Sequence, residues 1–266
     1  MDSIQDTILV CPHSLEGVFT AVYIAYRDKL IHDHTHIQTS IELEEQTQQV
    51  LFSKYREISS EEELFCKVRR TLIERMGWEV YEQLCEAMAM EKPGIADSIY
   101  HTIVRGLSRG PNTGVYVLQD LTNPYIYQVA RASQNVWREI HHLMGFVRFE
   151  ELAGEEPILY SRIGPQNNVV TFLAPHFADR FPMENFMIHD SKRGIFVVHP
   201  RNRPWYVRLE QSGNPTRLPP VTKEEETYRE LFREFCKAIM IQSRRNDKLQ
   251  RQMLPIRFRE FMVEFS

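Results

Sequence analysis

The 266-residue chain has no apolar run approaching the roughly 20 residues that a membrane-spanning helix needs. Its opening, MDSIQDTILV, offers neither a basic leader segment nor a long apolar core, so the expectation is a cytoplasmic protein with no membrane partner. Cysteine is scarce: Cys11, Cys66, Cys85 and Cys236 stand far apart, without a CxxC or similarly tight spacing. That pattern argues against a zinc ribbon or a cysteine-ligated iron–sulfur cluster, and fits reduced thiols serving as small buried apolar residues. There is no internal repeat or low-complexity segment, and a net charge of −4 excludes a strongly basic domain.

The charge is nevertheless uneven. Residues 1–130 carry 11 Lys+Arg against 19 Asp+Glu, and residues 131–266 carry 21 against 17, so the net charges are −8 and +4. An anionic partner is therefore better sought in the second half. With 42% hydrophobic and 26% charged residues, the chain has the composition of one large or two moderate globular domains.

TILVC at 7–11 reads as a strand, and Ser14 as the cap of a helix in which Leu15, Val18, Val22, Ala25 and Tyr26 recur at helical spacing. A strand feeding a helix N-terminus through Ser and Gly has free amides for an anion, but one glycine is a weak signal and a plain βα unit is the stronger reading. His32, His34 and His36 alternate, so a strand would align all three on one face, as a metal site requires. No further ligand can be placed from the sequence, so a solvated loop or strand edge is preferred and no metal site is assigned. Residues 59–91 read as one helical stretch opened by SSEEE, with Ser60 or its neighbour capping, and another helix spans about 94–108. RGPNTG at 109–114 breaks the chain. This divides it into an N-terminal βα and helical part, 1–114, and a C-terminal α+β domain, 115–266.

After the apolar run VYVL, Asn123 and Pro124 start a helix expected to reach about Met144, with Gly145 ending it. Ile126, Val129, Ala130, Ser133, Val136, Trp137, Ile140, His141 and Met144 form its apolar stripe. His141 lies on that stripe and His142 off it, so His141 is expected to be buried and hydrogen-bonded and His142 exposed. FVRFEEL and ILYSRIG read as an antiparallel hairpin, whose register decides whether Arg148, Arg162 and Tyr160 share a face suited to phosphates and stacked bases. The plain reading is an edge hairpin whose arginines reach solvent.

In VVTFLAPHFADRF, Pro175 is expected to begin a short helix that turns Phe177 and Phe181 inward, with His176 and Arg180 one turn apart. FMIHDSKRGIFVVHP reads as strand, turn and strand, with His189 and Asp190 at the turn mouth and Arg193 across it. His176, Asp179, Arg180, His189, Asp190 and Arg193 supply the chemistry of an acid–base or phosphate-gripping site, against a structural ion-pair network of equal weight. PWYVRL is a further strand and QSGNPTRLPP a linker. Tyr228, Leu231, Phe232, Phe235, Cys236, Ile239 and Met240 trace an amphipathic helix. Beyond it Arg244, Arg245, Lys248, Arg251, Arg257 and Arg259 form a basic run, the best electrostatic candidate for DNA or RNA, against the plain reading of a solvated face.

The strings WREIHHLMGFVRF, LYSRIGP, APHFADRF, IHDSKRG and RNDKLQRQMLPIRF, with SLEGVFTAVY near the N-terminus, resemble the bacterial "probable DNA metabolism protein" family over most of the chain. In that family the gene sits beside one for a DNA-modification or DNA-repair radical S-adenosylmethionine (SAM) protein, and a similar C-terminal domain occurs fused to uracil-DNA glycosylases. The resemblance implies an accessory role in DNA repair or modification and supplies no reaction. Matching positions are Glu139, His141, Phe146, Arg148 and Phe149, then Arg162 and Pro165, then Pro175, Phe177, Arg180 and Phe181. Many relatives carry a histidine shortly after Pro165, where this chain has Gln166, Asn167 and Asn168, and the departure weakens an enzymatic reading.

The expected fold is α+β, with a helical N-terminal part and a C-terminal antiparallel sheet flanked by helices. The expected function is a DNA-repair accessory that binds nucleic acid or docks a radical SAM or uracil-DNA glycosylase partner. One alternative is a DNA-acting nuclease, glycosylase or lyase using His141, His176, Asp179, His189 and Asp190. The other is a scaffold without DNA binding. Candidate nucleic-acid contacts are Arg148, Arg162, Arg180, Arg193, Arg244, Arg245, Lys248 and Arg251, and the sequence supports no cofactor.

Overall fold

A computed structural model describes residues 5–45, 52–110, 114–154, 156–210, 218–244 and 246–265. The chain is α+β and gathers into two compact units, Met1–Trp137 and Arg138–Ser266.

The first unit is built on a three-stranded parallel sheet of order β2-β1-β3, from β1 (Thr7–Cys11), β2 (Thr35–Thr39) and β3 (Lys54–Glu57). The central strand β1 is buried from Ile8 to Cys11, which is why it reads as a continuous apolar run rather than an alternating one. Helix α1 (Leu15–Arg27) follows, and the Ser14 hydroxyl accepts from the Gly17 backbone N–H at 3.0 Å as its cap. A Cβ on Gly17 would stand 2.5 Å from the Pro12 carbonyl oxygen, so this first turn needs glycine. After the short α2 (Ser40–Glu45) come α3 (Glu62–Met76), α4 (Trp78–Ala89), α5 (Ile95–Ser108), α6 (Gly114–Leu118) and α7 (Pro124–Phe146), the last extending past the boundary between the units. The Asn123 side chain caps α7 by accepting from the Tyr125 and Ile126 amides.

Two expectations for this stretch need correction. The helical stretch over 59–91 is two helices broken at Gly77, whose φ of 93° and ψ of 163° no other residue adopts cheaply. His32 and His34 lie in a 3-10 turn and His36 on the edge strand β2, in keeping with the preferred loop or strand-edge reading. Gly145 does not end α7, which runs on to Phe146.

The second unit holds a five-stranded sheet of order β4-β5-β6-β7-β8: β4 (Glu150–Leu152), β5 (Ile158–Ile163), β6 (Phe186–Asp190), β7 (Ile195–His199) and β8 (Tyr206–Leu209). The hairpin β4–β5 is antiparallel, with Glu150 opposite Tyr160, as are β6–β7 and β7–β8. The pair β5–β6 is parallel because α8 (Val170–Arg180) makes a crossover between them. Pro175 does not begin α8: it sits in its interior, five residues after the first. Phe177 is buried and stacks edge-on with Phe149, which also meets Phe181 and Phe186. Helices α9 (Lys223–Ile239), α10 (Asp247–Met253) and α11 (Ile256–Arg259) complete the unit. Among the described residues no helix is long and apolar enough to cross a membrane.

Candidate functional site

The histidine pair of α7 is arranged opposite to its expected order. His141 is exposed and His142 half-buried, because the buried side of the helix runs through Val136, Glu139, Ile140 and Leu143, leaving Trp137 55% exposed. The i+3/i+4 ladder admits either phase, and the structure takes the one that buries Glu139 instead of His141. The His142 ring packs against Phe146 and Phe258, and burial, reinforced by the Arg257 guanidinium, holds its pKa below the usual imidazole value.

Glu139, at 2% exposure, carries more structural weight than either histidine. Its carboxylate accepts from the backbone amides of Gln166 and Asn167, both at 2.9 Å, and from the Asn167 side-chain amide at 2.7 Å, with Arg257 at 3.3 Å. The loop in which relatives are expected to carry a histidine is thus pinned from below. On its other side Arg193 donates to the Gln166 carbonyl at 2.8 Å and pairs with fully buried Asp190 at 2.9 Å. Glu139, Asp190 and Arg193 therefore form part of an internal ion-pair network.

The acid–base cluster anticipated between residues 176 and 193 does not assemble. His189 and Asp190 are successive residues of β6 and point to opposite faces of the sheet. His189 lies flat against Phe196 at 4.0 Å, and burial lowers its pKa. The Tyr160 hydroxyl, itself pushed up to about 12 by burial, shares a hydrogen bond of 2.9 Å with His189 Nδ1. His176 packs edge-on against Phe177, Asp179 is exposed, and Arg180 lies over Phe181. Arg162 shares the face of β5 with Tyr160 and lies over Phe261, whereas Arg148 precedes β4 and donates to the Gly145 and Val147 carbonyls at 3.3 and 3.4 Å.

The C-terminal basic run divides in two. Arg257 is drawn onto Glu139 and Phe258, and Arg259 onto Phe265 and Gln250. Arg244, Lys248 and Arg251 are exposed and make no ion pair among the described residues; Arg245 lies outside those residues. Beside them Leu249, Met253 and Ile241 are each more than half exposed, along an open groove of about 830 Å³.

The first unit contains a group of which the sequence brought only His36 to notice. His36 on β2, Asp97 in the first turn of α5 and His101 one turn later meet side by side. Asp97 Oδ1 lies 3.3 Å from His36 Nδ1 and 3.5 Å from His101 Nε2, and accepts from the Ile37 backbone N–H at 3.0 Å. The Asp97 carboxylate raises the His36 pKa, while burial lowers that of His101, whose ring stacks on Tyr125 at 4.2 Å. His101 Nε2 is buried without a hydrogen-bond partner, the 3.5 Å approach to Asp97 being longer than an ordinary N–H···O bond. The legible cue was the i, i+4 spacing of Asp97 and His101 on a helix that the sequence had already located.

An α+β chain with an outward-facing basic helix in one unit and a His–Asp–His group in the other defines a class by its parts rather than by a known reaction. The profile of a family described as a domain of unknown function, DUF4130, matches residues 93–264, well over half of the chain, and the protein belongs to that family. The matched span includes Asp97 and His101 and begins after His36. No curated protein matches the sequence.

Proposed function

We propose that the protein is an accessory subunit in DNA repair or modification, binding nucleic acid through α10 and the turn before it and working beside an enzyme on another chain. The observation that carries this reading is the division of the basic run: Arg257 and Arg259 are consumed internally, whereas Arg244, Lys248 and Arg251 face solvent beside exposed apolar side chains. Cations held outward on helices suit backbone phosphates, which contribute affinity and register without reading sequence. The resemblance to the DNA-metabolism family supplies the setting, with a radical SAM or uracil-DNA glycosylase protein as the enzymatic partner. The dispersal of His141, His176, Asp179, His189 and Asp190 favours this over a hydrolytic centre built from those residues.

Binding to single-stranded and duplex oligonucleotides across a salt series tests the proposal. Affinity is expected to fall steeply between about 50 and 200 mM salt, and each of Arg244→Ala, Lys248→Ala and Arg251→Ala to reduce the logarithmic salt slope by about one. A flat salt dependence, or full binding by the triple variant, would refute it. Strand cleavage or base release by the chain alone would favour the enzymatic reading, and partner capture without nucleic-acid binding the scaffold.

A further inference from the structure

We propose that His36, Asp97 and His101 form a binding site for one divalent first-row transition cation, with Zn²⁺ the ion that fits the donor set best. Three ligand atoms at about 2.0–2.1 Å from a tetrahedral Zn²⁺ stand roughly 3.3 Å from one another. Two edges of that triangle are already present, at 3.3 Å from His36 Nδ1 to Asp97 Oδ1 and 3.5 Å from His101 Nε2 to the same oxygen, and all three donor atoms lie within 4.8 Å.

A plain His–Asp ion pair would account for His36 but not for His101. The second ring brings a buried, unbonded nitrogen to a carboxylate oxygen that is already shared, an arrangement that costs free energy unless something bridges the three atoms. The carboxylate is oriented from behind by the Ile37 amide, and His101 is held by the Tyr125 ring, as outer contacts of a metal site should be. Two imidazoles disfavour Mg²⁺ and Ca²⁺, which prefer all-oxygen shells. Three protein ligands leave a coordination position open, and the exposed side of His36, at 36%, supplies the approach for water or a substrate group.

The test uses untagged full-length protein stripped with a chelator and titrated with Zn²⁺ against a competing indicator, with Co²⁺ as the spectroscopic substitute. The expected result is one equivalent bound, with visible Co²⁺ bands of a low-coordinate site. His101→Ala and Asp97→Asn should each weaken binding more than about a hundredfold, beyond the usual loss at an outer contact. His34→Ala, which removes a histidine paired instead with Asp6, should leave binding unchanged. A measurement that needs no variant follows imidazole resonances of the wild-type chain: Zn²⁺ should shift those of His36 and His101 and leave His176 and His189 in place. Absence of stoichiometric binding, binding undiminished in folded His101→Ala, or shifts confined to other histidines would each overturn the proposal.

Discussion

Glu139 shows how a residue's environment outweighs its type. A carboxylate at 2% exposure is tolerated because three N–H groups and a guanidinium surround it. Glu139→Ala leaves the Gln166 and Asn167 donors and Arg257 without their acceptor, and the expected cost is about 2–4 kcal/mol in urea unfolding. His141→Ala, on the exposed side of the same helix, should cost less than about 0.5 kcal/mol. Comparable losses for the two variants would contradict the assigned helix phase.

Elements were legible in the sequence where a local signal fixes them, and illegible where a tertiary choice does. Ser14 and Asn123 cap helices as their spacing implies, the two hairpins pair as read, and the amphipathic run from Tyr228 appears as α9. The phase of α7 was ambiguous because apolar residues lie on both candidate stripes, so nothing local distinguished Val136 and Leu143 from Trp137 and His141. The candidate metal group was hidden for a different reason: His36 stands 61 residues from Asp97, and only the packing of β2 on α5 joins them. Gly77 lies inside the run read as one helical stretch. Its backbone lies where only glycine is comfortable, and a Cβ there meets nothing within 4 Å, so the cost of Gly77→Ala is conformational alone. The expected loss is about 1–3 kcal/mol by chemical denaturation with both helices retained. An unchanged midpoint would show that the α3–α4 junction has another conformation.

Across the whole molecule, several imidazoles are held neutral by burial, and this gives stability a sign with pH. Burial depresses the pKa of His13 despite Glu91 nearby, and of His189 despite Glu210 and Asp190. His142 is depressed likewise, with Arg257, His141 and Arg138 adding to burial against Glu139. When a base has a folded pKa below its unfolded one, the unfolded chain binds more protons, so its stabilisation is complete above about pH 6.5 and declines on acidification. His36, raised by Asp97, acts in the opposite direction over the same range, as do Glu42 and Glu86, raised by burial, though from a starting value of 4.5 the influence of the two carboxylates falls lower in the pH range. Chelator-treated protein is therefore expected to melt at a lower temperature at pH 5.5 than at pH 7.5. His189→Gln should reduce the difference, since it removes an imidazole that the fold keeps uncharged between Tyr160 and Phe196. A difference left unchanged in His189→Gln would mean that this ring titrates equally in folded and unfolded chains. The burial assigned to His189 would then be wrong.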